Sequence, residues 1–126
     1  MNQPVTPLSK IGIVMLGVAS LERSVAFYRD VLGLPLKTQF PGFAFFEAGG
    51  VTLVVSEPLA KSVGAGAGAT EVVFSVEDVR AAYDALRARG LAFTQEPRQV
   101  SGPMWAANFA DPDGHRLSIF GPERKA

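Results

Sequence analysis

Glu71, Arg116 and Ser118 are the residues of this chain whose types and spacing could do chemistry together. A half-buried carboxylate at Glu71 can bind a cationic or hydroxylated ligand, or act as a general base once burial raises its pKa. The planar fork of Arg116 suits an anionic group. Ser118 offers a hydroxyl to a bound molecule, but as a nucleophile it lacks a nearby histidine base. His115 is the single histidine and cysteine is absent. A His-based metal cluster, a thiolate site, a disulfide and a cysteine nucleophile are therefore excluded.

Each of these residues also has a purely structural reading. Glu71 at a strand start can be solvated or paired with Arg116, and Arg116 can be an exposed strand end. His115 follows a tight turn and reads as a surface hairpin position. Trp105 and Phe120 can stack on a planar ligand, or serve as core or dimer aromatics. Phe40, Phe43, Phe45 and Phe46 crowd edge-like strands, so about half must point away from the core, towards a pocket mouth or a subunit interface. The run from Gly64 to Ala69 formally matches the loosest dinucleotide-binding pattern, but it leads into a strand where that motif must open a helix. Asp111 and Asp113 lack the further oxygen ligands of a calcium loop and read as turn residues.

The elements that must position these side chains come in two copies. Ile13 to Val18 matches Glu71 to Val76, and Gly49 to Val55 matches Asp113 to Ile119, with Pro58 and Pro122 following the respective copies. The first copy reads as a strand over Ile11–Val18 and a helix capped by Ser20, with Leu21, Val25, Tyr28 and Leu32 at helical spacing and Gly33 as its stop. Short strands near Leu36–Thr38, Phe43–Glu47 and Val51–Val55 complete a βαβββ unit. The second copy has a strand over Glu71–Val76, a helix capped by Asp78 and ended by Gly90, and strands near Leu91–Gln95, Met104–Phe109 and Arg116–Phe120. The turn Asp111-Pro112-Asp113-Gly114 joins the last two. The chain thus divides into a first module over 10–58, a Ser-, Gly- and Ala-rich linker over 59–70, and a second module over 71–122, within one domain of 126 residues.

Strand alternation then sorts the candidates. Leu117 and Ile119 pack on the helix, leaving Arg116, Ser118 and Phe120 on the opposite face. Val72, Phe74 and Val76 do likewise, leaving Glu71, Val73 and Ser75. By the repeat, Ile13 and Met15 share that second face with Thr52, Val54 and Ser56. Two sheets curved towards each other would enclose an apolar pocket with a few polar groups, the usual character of a small-molecule site.

Twelve basic residues balance twelve acidic ones, and none form a polybasic run. Neither nucleic acid nor an anionic membrane surface is an expected partner. Met1 to Ser9 lacks the charged start and apolar run of a signal peptide, and no apolar stretch approaches a membrane span. A soluble cytoplasmic protein is the expectation.

The run from Val18 to Leu34 closely resembles the first module of the glyoxalase/bleomycin-resistance/extradiol-dioxygenase group, the vicinal oxygen chelate superfamily. Phe109 to Leu117, with its Asp111-Pro112-Asp113-Gly114 turn, resembles that family's closing hairpin. The resemblance implies an α+β fold of two tandem βαβββ modules, helices outside, with curved sheets around a cavity. It also implies metal-ligand positions on the concave face, which fall here at Ile13, Val54, Glu71 and Ser118. Only Glu71 among them can hold a cation, whereas a transition-metal site needs about three or four donors. The expected function is therefore a metal-independent protein without cofactor that binds a small molecule, as the family's antibiotic-sequestering members do. Its expected contacts are Ile13, Met15, Val54, Glu71, Val73, Trp105, Arg116, Ser118 and Phe120. The alternatives are a metal-dependent lyase or dioxygenase, with Glu47, Glu57 and Glu71 as oxygen donors, and a metal-free acid–base enzyme with Glu71 as catalytic residue. A homodimer, with or without exchange of modules across the linker, is expected from uncovered sheet edges and apolar residues.

Overall fold

A computed structural model describes residues 8, 10–66, 68 and 70–124. Apart from Leu8, the N-terminal stretch read for a signal peptide lies outside them, as do Ala67 and Ala69 of the linker. Two four-stranded sheets carry the chain. The first has strands β1 (Ile13–Gly17), β2 (Leu36–Phe40), β3 (Phe43–Glu47) and β4 (Thr52–Ser56) in the order β1-β4-β3-β2. The second repeats this order with β5 (Glu71–Ser75), β6 (Phe93–Ser101), β7 (Met104–Ala110) and β8 (Arg116–Pro122), as β5-β8-β7-β6. In each sheet the opening strand runs parallel to the closing one, and the hairpins between are antiparallel. The two βαβββ units of an α+β fold are thus present.

Local chemistry fixes the helices. The Ser20 hydroxyl accepts the Arg23 N–H at 3.2 Å and starts α1 (Leu21–Val25). The chain then widens into a π-helical stretch, Ala26–Val31, where the periodicity alone predicts a regular helix. Gly33, at φ 79°, reverses the chain after it. Helix α3 (Val79–Ala88) starts on Asp78, whose carboxylate accepts the N–H groups of Arg80 and Ala81.

Two expectations need correction. The interval 59–70 does not begin as a flexible linker. Ser56 caps a further helix, α2 (Glu57–Val63), with Pro58 in its first turn, where a missing N–H costs nothing. Composition concealed it, because the glycines start only after the helix has ended. The second difference is β6, expected to stop at Gln95 but running to Ser101. Pro97 sits within it at an irregularity between Gln95 and Arg98, on an edge strand where its lack of an N–H is tolerated.

The helix-packed faces of both sheets share one core. Leu16, Val18, Tyr28, Phe46, Leu53 and Val55 of the first module meet Val79, Tyr83, Phe109, Leu117 and Ile119 of the second in one apolar cluster. The β7–β8 hairpin turn also grips the first module. Asp113 accepts the Ala19 N–H at 3.0 Å and pairs with Arg23 at 3.1 Å. His115 Nε2 lies 2.7 Å from the Gly17 carbonyl, which can only accept, so this nitrogen donates. His115 and the turn aspartates therefore tie the modules together as well as shaping a surface turn. Among the described residues, no helix is long and apolar enough to cross a membrane.

Candidate functional site

The register of the second sheet puts Glu71 beside Arg116, and Val73 beside Ser118, which pairs on its other side with Asn108. Phe120 aligns with Ser75 and Ala106 on that same face, and Ala106 with Arg98 of the edge strand. In the first sheet, Ile13 aligns with Thr52, and Met15 with Val54 and Phe45. Eight of the nine expected contacts thus lie on the faces turned away from the helices. Trp105 does not. It pairs with Gly121 and Gln99, in the opposite phase of β7, and packs against the core near the Asp78 cap and the first turn of α3, at Arg80 and Ala81.

Glu71 is the centre of a polar network. Its Oε2 accepts the Ser118 hydroxyl at 2.8 Å and the Asn108 amide at 3.5 Å. Its Oε1 accepts both Nε and Nη2 of Arg116, at 3.3 and 3.2 Å. Asn108 in turn accepts Arg98 Nη1 through Oδ1, at 2.7 Å. One hydrogen-bonded line therefore crosses all four strands, with a guanidinium at each end. Ser118 is fully covered and Asn108 nearly so, while the Arg116 side chain keeps 61% of its exposure. The carboxyl of Glu71 is held below its ordinary value, chiefly by the Ser118 hydrogen bond. Partial burial opposes this, and Arg116 and then Arg98 reinforce it. Arg98 and Asn108 were not among the residues expected from sequence.

The first sheet offers a different wall. Val54 is fully buried at its centre, flanked by Met15 and Phe45, and Phe40 stacks edge-on against Phe45 at 5.9 Å between ring centres. Phe46 points the other way, into the core. Ile13, Met15 and Phe40 remain 53%, 41% and 55% exposed, and Val73 on the second sheet 51%. Met15 and Arg116 share a groove of about 230 Å³ with Gly64, Gly66, Gly68 and Thr70. Glu71 and Val73 border a cleft of about 360 Å³ between the modules, walled by Val14, Leu53 and Phe74.

A metal ion does not fit the donors present. Ile13 and Val54 have no lone pair to give, and both oxygens of Glu71 already accept hydrogen bonds. Glu47 and Glu57, the other oxygen donors considered, are engaged elsewhere. Glu47 meets Lys37 at 3.7 Å, and Glu57 accepts the Leu21 N–H at 2.7 Å. Among the described residues, no three of His, Cys, Asp or Glu gather as a metal site would require.

Comparison with known proteins agrees with this architecture. The family model for the Glyoxalase/Bleomycin resistance protein/Dioxygenase superfamily matches residues 10–119, and the chain belongs to that superfamily. It is 30% identical over 122 residues to the uncharacterized protein YraH of Bacillus subtilis strain 168, covering 85% of this chain and 94% of that one. A glyoxalase/bleomycin resistance protein/dioxygenase from Nocardioides superposes with a TM-score of 0.76 at 27% identity, over 97% of this chain and 89% of the other. The antibiotic-binding protein TnmS3 from Streptomyces sp. CB03234 gives a TM-score of 0.79 at 21% identity, covering 94% and 100% of the two chains. Lactoylglutathione lyase from Agrobacterium tumefaciens gives 0.77 at 22%, covering 92% and 96%. The last two likenesses establish the fold alone.

Proposed function

We propose that this chain is a metal-independent protein that binds a small, partly aromatic molecule against its helix-free sheet faces, and that it works as a homodimer. The observation that carries the reading is the state of Glu71. It stands at one of the four positions where the family resemblance implies a metal ligand, and Ser118, Asn108 and Arg116 already satisfy it. The other three positions hold Ile13, Val54 and Ser118, and the Ser118 hydroxyl donates to Glu71. Such a network orients a polar ligand without a cation.

Acid–base catalysis by Glu71 is the weaker reading, because a carboxyl held below its ordinary pKa is a poor proton acceptor. The donor set argues against the metal-dependent lyase or dioxygenase reading. That a similarly folded protein is described as antibiotic-binding supports ligand sequestration as a role this fold can serve. Dimerisation is supported by the exposure of Ile13, Met15, Phe40 and Val73, apolar groups on the same faces as the polar network. A second copy would cover them and give the ligand its other wall.

The test is elemental analysis of protein purified without added metal, with melting curves in the presence of Ni²⁺, Zn²⁺, Mn²⁺ or Fe²⁺. The melting temperature should stay nearly unchanged, since an ion specific for the folded state would raise it by mass action. Tight one-to-one retention of a divalent ion, lost in Glu71→Ala, would overturn the reading and restore metal-dependent chemistry.

A further inference from the structure

The two arginines at the ends of the polar line have donors left over. A guanidinium carries five N–H groups in a fixed fork. Arg98 spends one Nη1 contact on Asn108, and its Nε and Nη2 have no partner among the described residues. Arg116 directs Nε and Nη2 at a single oxygen of Glu71, leaving Nη1 without a partner among the described residues. Their strands, β6 and β8, are separated by β7 alone and lie roughly 10 Å apart across the sheet. Arg98 stands level with Phe120, four residues along β8 from Arg116, and the two side chains lean towards each other over Asn108 and Glu71. With Glu71 ionised between them, the cluster keeps one net positive charge.

We propose that Arg98 and Arg116 together clamp an anionic group, the carboxylate of an aromatic acid, whose ring lies against apolar residues of these faces such as Phe120 and Val73. This deepens the binding reading above and rests on it. Two guanidiniums meeting one carboxylate give charge-assisted bonds, about twice as strong as neutral ones. Glu71 is a positioning residue in this scheme. Through Oε1 it aims Arg116, and through Oε2 it turns the Asn108 amide so that Oδ1 faces Arg98. The flanking faces are apolar, which suits a ring better than a small hydrated ion such as free phosphate. A carboxylate on a planar body uses both walls at once.

The full-length protein would be titrated calorimetrically with benzoate and 1-naphthoate, and with the neutral amides benzamide and 1-naphthamide. The acids should bind at least about tenfold tighter than the matched amides, and more weakly as salt rises. Arg98→Gln and Arg116→Gln should each remove that preference, with unchanged circular dichroism and melting curves showing the variants folded. Arg29→Gln, on an exposed ion pair with Asp30, should leave it intact. If acids and amides bind equally and neither arginine matters, the clamp is wrong while the binding reading stands. If none of the four probes binds at about 10 mM, weaker than any useful affinity, the binding reading fails and the clamp with it.

Discussion

Tyr28 of the first module donates its hydroxyl proton to Asp111 of the second, across 2.8 Å, and both residues are buried. The same carboxylate accepts the N–H groups of Asp113 and His115 through its other oxygen, so one side chain shapes the β7–β8 turn and anchors it to the facing module. Burial first, and then the Asp111 charge, push the Tyr28 phenol well above its ordinary range, which keeps it a donor at any working pH.

Tyr28→Phe should therefore do more than delete one hydrogen bond. It leaves a buried carboxylate oxygen without its partner, a loss of about 1–3 kcal/mol in urea unfolding. The secondary structure should be retained. An unfolding curve that coincides with the wild type would show that the contact between modules contributes nothing.

Gly121 gives a sharper steric expectation. A Cβ built there would collide with the backbone carbonyl oxygen of Val76, a group that cannot swing aside as a side-chain tip would. Gly121→Ala should cost upwards of about 3 kcal/mol and separate β8 from the end of β5. Unchanged stability in the same unfolding experiment would refute the close approach.

The internal repeat made most of this fold legible. The two-module element order, both helix caps and the opposed faces of β5 and β8 follow from the internal repeat, the capping residues Ser20 and Asp78, and alternation. So does the Glu71–Arg116 pair. Two features of the candidate site escaped for local reasons. Pro97 reads as the end of a strand, yet on an edge strand its missing N–H leaves the partner's ladder intact, and Arg98 is carried onto the helix-free face unseen. Trp105 was expected there because an aromatic suits a pocket. The phase of β7 decides its side: Trp105 alternates in step with Ala107 and Phe109, both in the core, and out of step with Asn108.

The hydrogen bond from Ser118 is the largest influence lowering the Glu71 carboxyl from its ordinary 4.5. Ser118→Ala should move the Glu71 titration upwards, towards that value, when followed by carboxyl carbon chemical shifts. The sign for stability follows directly. A carboxyl whose folded pKa is depressed contributes stability that is full above 4.5 and fades as pH falls through the depressed value. The difference in stability between wild type and Ser118→Ala should accordingly shrink in acid. An unshifted Glu71 titration in the variant would remove Ser118 from the network.

Val73 lies at the middle of β5, an edge strand, and half of its side chain faces solvent. In an isolated chain an aspartate would be tolerated there with little change in folding, since surface substitutions usually stay within about 0.5 kcal/mol. In a dimer that covers this face, the same charge would be buried without a partner, at a cost large enough to prevent assembly. Met15→Asp probes the corresponding face of the first module, where Met15 is also exposed. Sedimentation at tens of micromolar, roughly the range where a useful dimer persists, should show wild-type dimers and monomers for both variants. Circular dichroism should report both as folded. A wild-type monomer at that concentration would refute dimerisation. Dimers that survive both substitutions would place the interface elsewhere, leaving the helix-free faces open to solvent.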